Sequence, residues 1–198
     1  MITQDIQEVA QHYLDLFHQK DCYFSDDQKR IAYFRKNPLN NDVNEIVVKI
    51  STMEHEQIDD VMASRRFMAD HIASLDIDAA LQQGQPEVVE AIAHLDIQGK
   101  PHFLYSFASR YCNWHNMEAY PIYDPAVHKL LNFYRQQTIG AELADEEVYV
   151  YSRFKEQMIA FRQYLQMDRY NFKEVDKFIW IYGSNIIRDL TQKPLAYQ

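Results

Sequence analysis

Four glycines in 198 residues limit what this chain can become. Sandwiches and barrels string many tight turns together, and such turns draw on glycine for left-handed backbone. A 47% hydrophobic and 14% aromatic content supplies a core and argues against disorder. Few turns and abundant apolar residues favour helices, and the length fits a single helical domain over residues 1–198.

Apolar spacing places those helices. Ile6, Val9, Ala10, Tyr13, Leu14, Leu16 and Phe17 recur every three or four positions, which predicts an amphipathic helix over 3–19. Ser25, Asp26 and Asp27 offer caps for a second helix, with Ile31, Ala32 and Phe34 inside it and a stop near Asn37-Pro38. "DVNEIVVKISTM" (42–53) reads two ways: its β-branched neighbours suit a strand, whereas Val43, Ile46, Val47 and Ile50 suit a helical stripe. A helix is expected over 57–74 on Ile58, Val61, Met62, Met68 and Ile72, then a short one over 78–83 that ends at Gly84. Pro86 opens the next, with Val88, Val89, Ala91, Ile92 and Leu95 inward. "HIASLDID" (71–78) and "AIAHLDIQ" (90–97) read as two helices leaving by similar turns. A helix follows from Gly99 to about Asn116 and another from Asp124-Pro125 to about Gln137. Two more cover 145–166 and 171–190, with Gly183 as a break or bend. The expected fold class is all-α, a compact bundle of about nine or ten helices.

Charge divides the chain. Residues 1–98 carry 8 Lys and Arg against 18 Asp and Glu, and residues 99–198 carry 12 against 11, so an acidic half precedes a near-neutral one. The net charge of −9 argues against broad, salt-driven coating of nucleic acid but leaves room for a local basic face. Two cysteines, Cys22 and Cys112, with no secretory start and no long apolar run, point to a reduced cytoplasmic protein rather than a disulfide scaffold or a membrane protein.

Chemistry concentrates in "SFASRYCNWHNMEAYPIYDP" (106–125). Cys112 and His115 lie three apart on one helix, and His12, His18 and Cys22 form a loose second group; neither completes a zinc pattern, so no metal is expected. No glycine-rich phosphate loop is present, and no cofactor is expected. Tyr111 and Trp114 could stack on bases, although aromatics at helical spacing are more often core. Arg110 and His115 are different, because a cation or imidazole on so apolar a helix needs a partner or a cleft. Asp124 is the nearest carboxylate in sequence, and Asp124-Pro125 also makes a strong helix start.

Over residues 86–128, and most of all at "YPIYD" (120–124), the chain resembles the helix-hairpin-helix DNA glycosylases, nearest to those similar to 8-oxoguanine DNA glycosylases. That resemblance implies DNA as partner, a helix carrying an attacking lysine, and a downstream aspartate that favours the positive charge growing on the sugar. By position Asp124 falls on the aspartate and Arg110 on the lysine, with His115 beside them and Tyr123, Trp114 and Tyr111 toward a flipped base. A guanidinium stays protonated and is no amine nucleophile, so the departure at Arg110 implies impaired catalysis or the use of water activated by Asp124. The wider chain is similar to uncharacterised bacterial proteins that share "YSFA(S/T)KYC…HN…YPIYD" and a later "(L/V)DKF(L/I)W", here "VDKFIW" at 175–180.

Three functional readings follow. One is a glycosylase-like, DNA-associated protein that engages a flipped or damaged base. The second is a non-enzymatic helical interaction protein whose polar residues form a buried network, with Arg110 paired to Asp124 or Asp176. The third is a small-substrate hydrolase that uses Asp124 and His115 as acid and base.

Overall fold

The computed structural model describes residues 5–18, 27–53, 61–97, 99–141 and 144–191. Among them the chain is all-α apart from one small hairpin. The helices are α1 (Ile6–His18), α2 (Gln28–Lys36), α3 (Val43–Thr52), α4 (Val61–Ser74), α5 (Asp78–Gln82), α6 (Glu87–Ala93), α7 (Tyr105–His115), α8 (Pro125–Thr138), α9 (Asp145–Tyr149), α10 (Tyr151–Tyr164) and α11 (Phe172–Thr191). Strands β1 (His94–Ile97) and β2 (Lys100–Phe103) separate α6 from α7. Cys22, Ser25, Asp26 and Ile58 lie outside the described residues.

The ambiguous segment at 42–53 is a helix. Asp42 accepts hydrogen bonds from the Asn44 amide at 2.7 Å and the Glu45 amide at 3.4 Å, and this cap starts the turn that buries Ile46 and Ile50 together.

Three expectations need correction. Residues 94–103 form an antiparallel hairpin rather than helix, with His94 opposite Phe103 and Ile97 opposite Lys100. Leu95 is buried between exposed His94 and Asp96, the two-residue alternation of a strand, and Gly99 takes φ +79° at the turn, where its amide bonds Asp96 at 2.7 Å. The helix expected over 145–166 is broken at Val150, whose extended backbone (φ −93°, ψ 109°) ends α9 and begins α10. Branched side chains at Val148 and Val150 weaken helix at that point. Gly183, expected as a break or bend, does not break helix α11, which runs through it. A Cβ there would sit 3.5 Å from Leu130 Cδ1 and 3.2 Å from Ile179 Cγ2, so the glycine lets α8 come close.

The chain forms two compact units: Met1–Tyr23 with Tyr123–Gln198, and Phe24–Ile122. In the first, α1 lies along α11, and α8 packs on both. The apolar face of α1 buries Ile6, Ala10, Leu14 and Phe17, and Phe17 meets Phe178 edge-on at 5.7 Å. Tyr13 adds a polar clasp, donating its hydroxyl to Asp189 at 2.5 Å, while Arg188 holds the same carboxylate at 3.0 Å. In the second, α3 pairs with α4, and α2, α5 and α6 pack around α7.

Gly183→Leu is expected to lower the unfolding free energy by roughly 1–3 kcal/mol by overpacking the α8–α11 contact. Gly183→Ala stays within about 1 kcal/mol of wild type, since its helix-propensity gain offsets the tight contact with Ile179. Urea unfolding of both variants checks the pair.

Candidate functional site

Helix α7 is the most enclosed element of the Phe24–Ile122 unit. Phe107, Ala108, Tyr111, Cys112, Asn113 and Trp114 are all buried. Trp114 stacks on Phe34 of α2 at 5.9 Å, and Phe34 also meets Tyr111 and His115 edge-on. The segment after α7 is stitched back to it. Asn113 donates to the Tyr120 carbonyl at 2.7 Å, and the Tyr120 hydroxyl donates to the Gln85 carbonyl at 3.0 Å and the Ala80 carbonyl at 3.3 Å. Asn116 donates to the Gln82 carbonyl at 3.0 Å. The proline turn is therefore held by side chains that the sequence spaces three and seven residues apart, Asn113 with Asn116 and Tyr120.

Among the residues expected to act, Tyr111 and Trp114 are 0% and 5% exposed, which makes them packing surfaces of α7. Arg110 is half-buried on the same helix. Burial, and then the nearby charge of Lys49, lowers the His115 imidazole to about 3, so it stays neutral throughout the physiological range. Its Nε2 is enclosed with no hydrogen-bond partner among the described residues. The Cys112 thiol is fully buried, and burial pushes it up, away from the reactive thiolate form.

Tyr123 and Asp124 belong to the other unit. Tyr123 lies edge-on to Phe154 at 5.6 Å and beside Tyr149. Asp124 is the N-cap of α8: it accepts the Ala126 amide at 2.6 Å, and Pro125 fills the first helical position. Asp176 forms an ion pair with Lys173 at 3.3 Å on its own helix.

The polar centre of the Phe24–Ile122 unit is one that the sequence reading missed. Lys49 is fully enclosed, and its ammonium donates to the Leu39 carbonyl at 2.6 Å and to Asn40 Oδ1 at 3.0 Å. Asn40 Oδ1 also accepts the Tyr111 hydroxyl at 2.5 Å. The Asn40 amides, backbone and side chain, donate to Asp78 at 3.0 and 2.7 Å. One asparagine thus joins α3, α5 and α7. Burial drives the Lys49 amine from its ordinary 10.5 down to about 8, against Asp78 and Glu45, which pull it up. A signal was available, because Lys49 stands within the Ile46–Ile50–Met53 stripe, where a solvated lysine would not fit.

Comparison with known proteins places much of the chain in a family. A family model described as HI_0787_N, an N-terminal domain, matches residues 9–119. The chain belongs to this family. It is also 34% identical over 121 residues to an uncharacterised protein of Haemophilus influenzae, covering 61% of this chain and 57% of that one, so the match spans little more than half of the relative. No solved structure matches the chain. The family stretch contains Asn40, Lys49, Asp78, Arg110, Tyr111 and His115 and stops before Tyr123 and Asp124. Among the described residues, no three His, Cys, Asp or Glu side chains come together to hold a metal ion, and no helix is long and apolar enough to cross a membrane.

Two outcomes follow from this geometry. The lowered Lys49 value means that both states carry the proton below about pH 8, where the full cost of burying the charge is present; between about 8 and 10.5 only the unfolded chain is protonated, so folding gains stability as pH rises. Relative to Lys49→Met, wild type should therefore gain on the order of 2–3 kcal/mol across that window, as read by denaturant unfolding of both proteins at each pH. Asp124→Ala is expected to cost about 1 kcal/mol by removing the α8 cap, while Asp124→Asn keeps most of it, measured by thermal unfolding.

Proposed function

We propose that this is a DNA-associated helical protein, similar in sequence to the helix-hairpin-helix DNA glycosylases over residues 86–128, that binds DNA without amine-based base removal. The observation that carries the reading is the order of residue types along the sequence. A cation, Arg110, precedes the "YPIYD" turn, and a carboxylate, Asp124, closes it and caps the helix that follows. Arg110 supplies charge for a phosphate or a base edge and no nucleophile. The neutral, buried His115 supplies no acid at physiological pH.

A second reading, a non-enzymatic interaction protein, is favoured by the Lys49–Asn40–Tyr111–Asp78 network, which has the features of a device that fixes packing. The third, hydrolysis by Asp124 and His115, draws least support, because an imidazole lowered to about 3 is a poor acid and a weak base near neutral pH.

Fluorescence anisotropy with intact and base-damaged duplexes at low salt, run beside a base-release assay, tests the proposal. Binding with no release above the level of the Asp124→Asn control is the expected result. Absence of any binding would remove the proposal in favour of the interaction protein, and Asp124-dependent release would replace it with an active glycosylase.

A further inference from the structure

Among the described residues of an acidic unit, helix α2 is the one strongly basic element. The Phe24–Ile122 unit carries 9 Lys and Arg against 15 Asp and Glu, yet α2, "QKRIAYFRK", holds four of those cations and no carboxylate within nine residues. Its buried side is narrow. Phe34 alone is fully covered, pinned between Trp114, Tyr111 and His115 of α7. Arg30, toward that side, pairs with buried Asp27 at 3.3 Å. On the opposite side Gln28, Lys29, Ala32, Arg35 and Lys36 are all exposed. Lys29, Arg35 and Lys36 make no ion pair among the described residues.

We infer that this exposed face of α2 docks on the phosphate backbone of duplex DNA, an inference that rests on the DNA-associated reading above. Lys29 and Lys36 are seven residues apart, roughly 10 Å along the helix, the rise of about three successive phosphates on one strand. Two lysines offer point charges and Arg35 a fork that grips two phosphate oxygens. Ala32, in the middle of the face, adds little bulk and lets the helix axis approach the strand. The acidic remainder of the unit repels DNA, so the contact is confined to α2 and the duplex is held in one orientation. The same charge distribution accounts for an acidic protein that binds a polyanion: net charge sets solubility, and the local stripe sets docking.

The test measures binding of the full chain to a short fluorescent duplex over a range of salt. Wild type should bind, and the triple variant Lys29→Ala, Arg35→Ala, Lys36→Ala should lose about 2.7 from the slope of log affinity against log salt. A variant that keeps charge at each site (Lys29→Arg, Arg35→Lys, Lys36→Arg) should retain most of the slope. Circular dichroism confirms that all are folded, and single alanine variants, each worth about 0.9 of slope, carry the same test if the triple loses helicity. Wild-type binding with an unchanged alanine slope would overturn the α2 inference and leave the DNA reading standing. No duplex binding by wild type would overturn both, as would capture by anionic phospholipid vesicles without capture by duplex.

Discussion

An ammonium group removed from water must find oxygen, and in the Phe24–Ile122 unit that requirement falls on Lys49. It is met by neutral acceptors, a backbone carbonyl and the Asn40 amide, with a balancing carboxylate, Asp78, one link further along. Because Asn40 holds the lysine, the Tyr111 hydroxyl and Asp78 together, a shift of α3, α5 or α7 strains the bond that helix makes to it. The aromatic packing of Phe34 on Trp114 and Tyr111 gives apolar cohesion, but it is non-directional. The polar node supplies the register in which those rings meet.

Much of the helix layout was legible because it rests on local rules. The three- and four-residue recurrence in α1 and the Asp124-Pro125 start of α8 need no information from elsewhere in the chain. The misses have equally specific causes. Four-residue strands are shorter than any window in which helical periodicity can be rejected, and only Leu95, Asp96 and Gly99 together mark the hairpin. Gly183 looked like an interruption because the sequence does not show Leu130 on the neighbouring helix.

The site was less legible. Lys49 could be noticed as a lysine inside an apolar stripe, but its partners Leu39 and Asn40 are ten and nine positions away, Asp78 beyond them is 29 away, and no spacing rule joins these residues to it. The aromatic richness of 106–125 suggested a stacking surface, whereas Tyr111 and Trp114 are turned into the protein by a helix apolar on most of its circumference. The basic character of α2 was diluted in the charge total of an acidic half-chain. It emerges only when Arg30 is set aside as paired and the remaining three cations are seen to share a face.

The order of elements has a consequence for synthesis on the ribosome. One unit is interrupted: its helix α1 is made before the whole of Phe24–Ile122, and the α11 surface that α1 covers is made after it. The inner unit has every partner of Lys49 once α7 has emerged and can complete itself while translation continues. The apolar face of α1 must wait through more than a hundred residues of elongation for Phe178 and Tyr182. The nascent chain therefore carries an uncovered hydrophobic helix for most of its assembly, and that interval is when chaperones or premature aggregation would act on it.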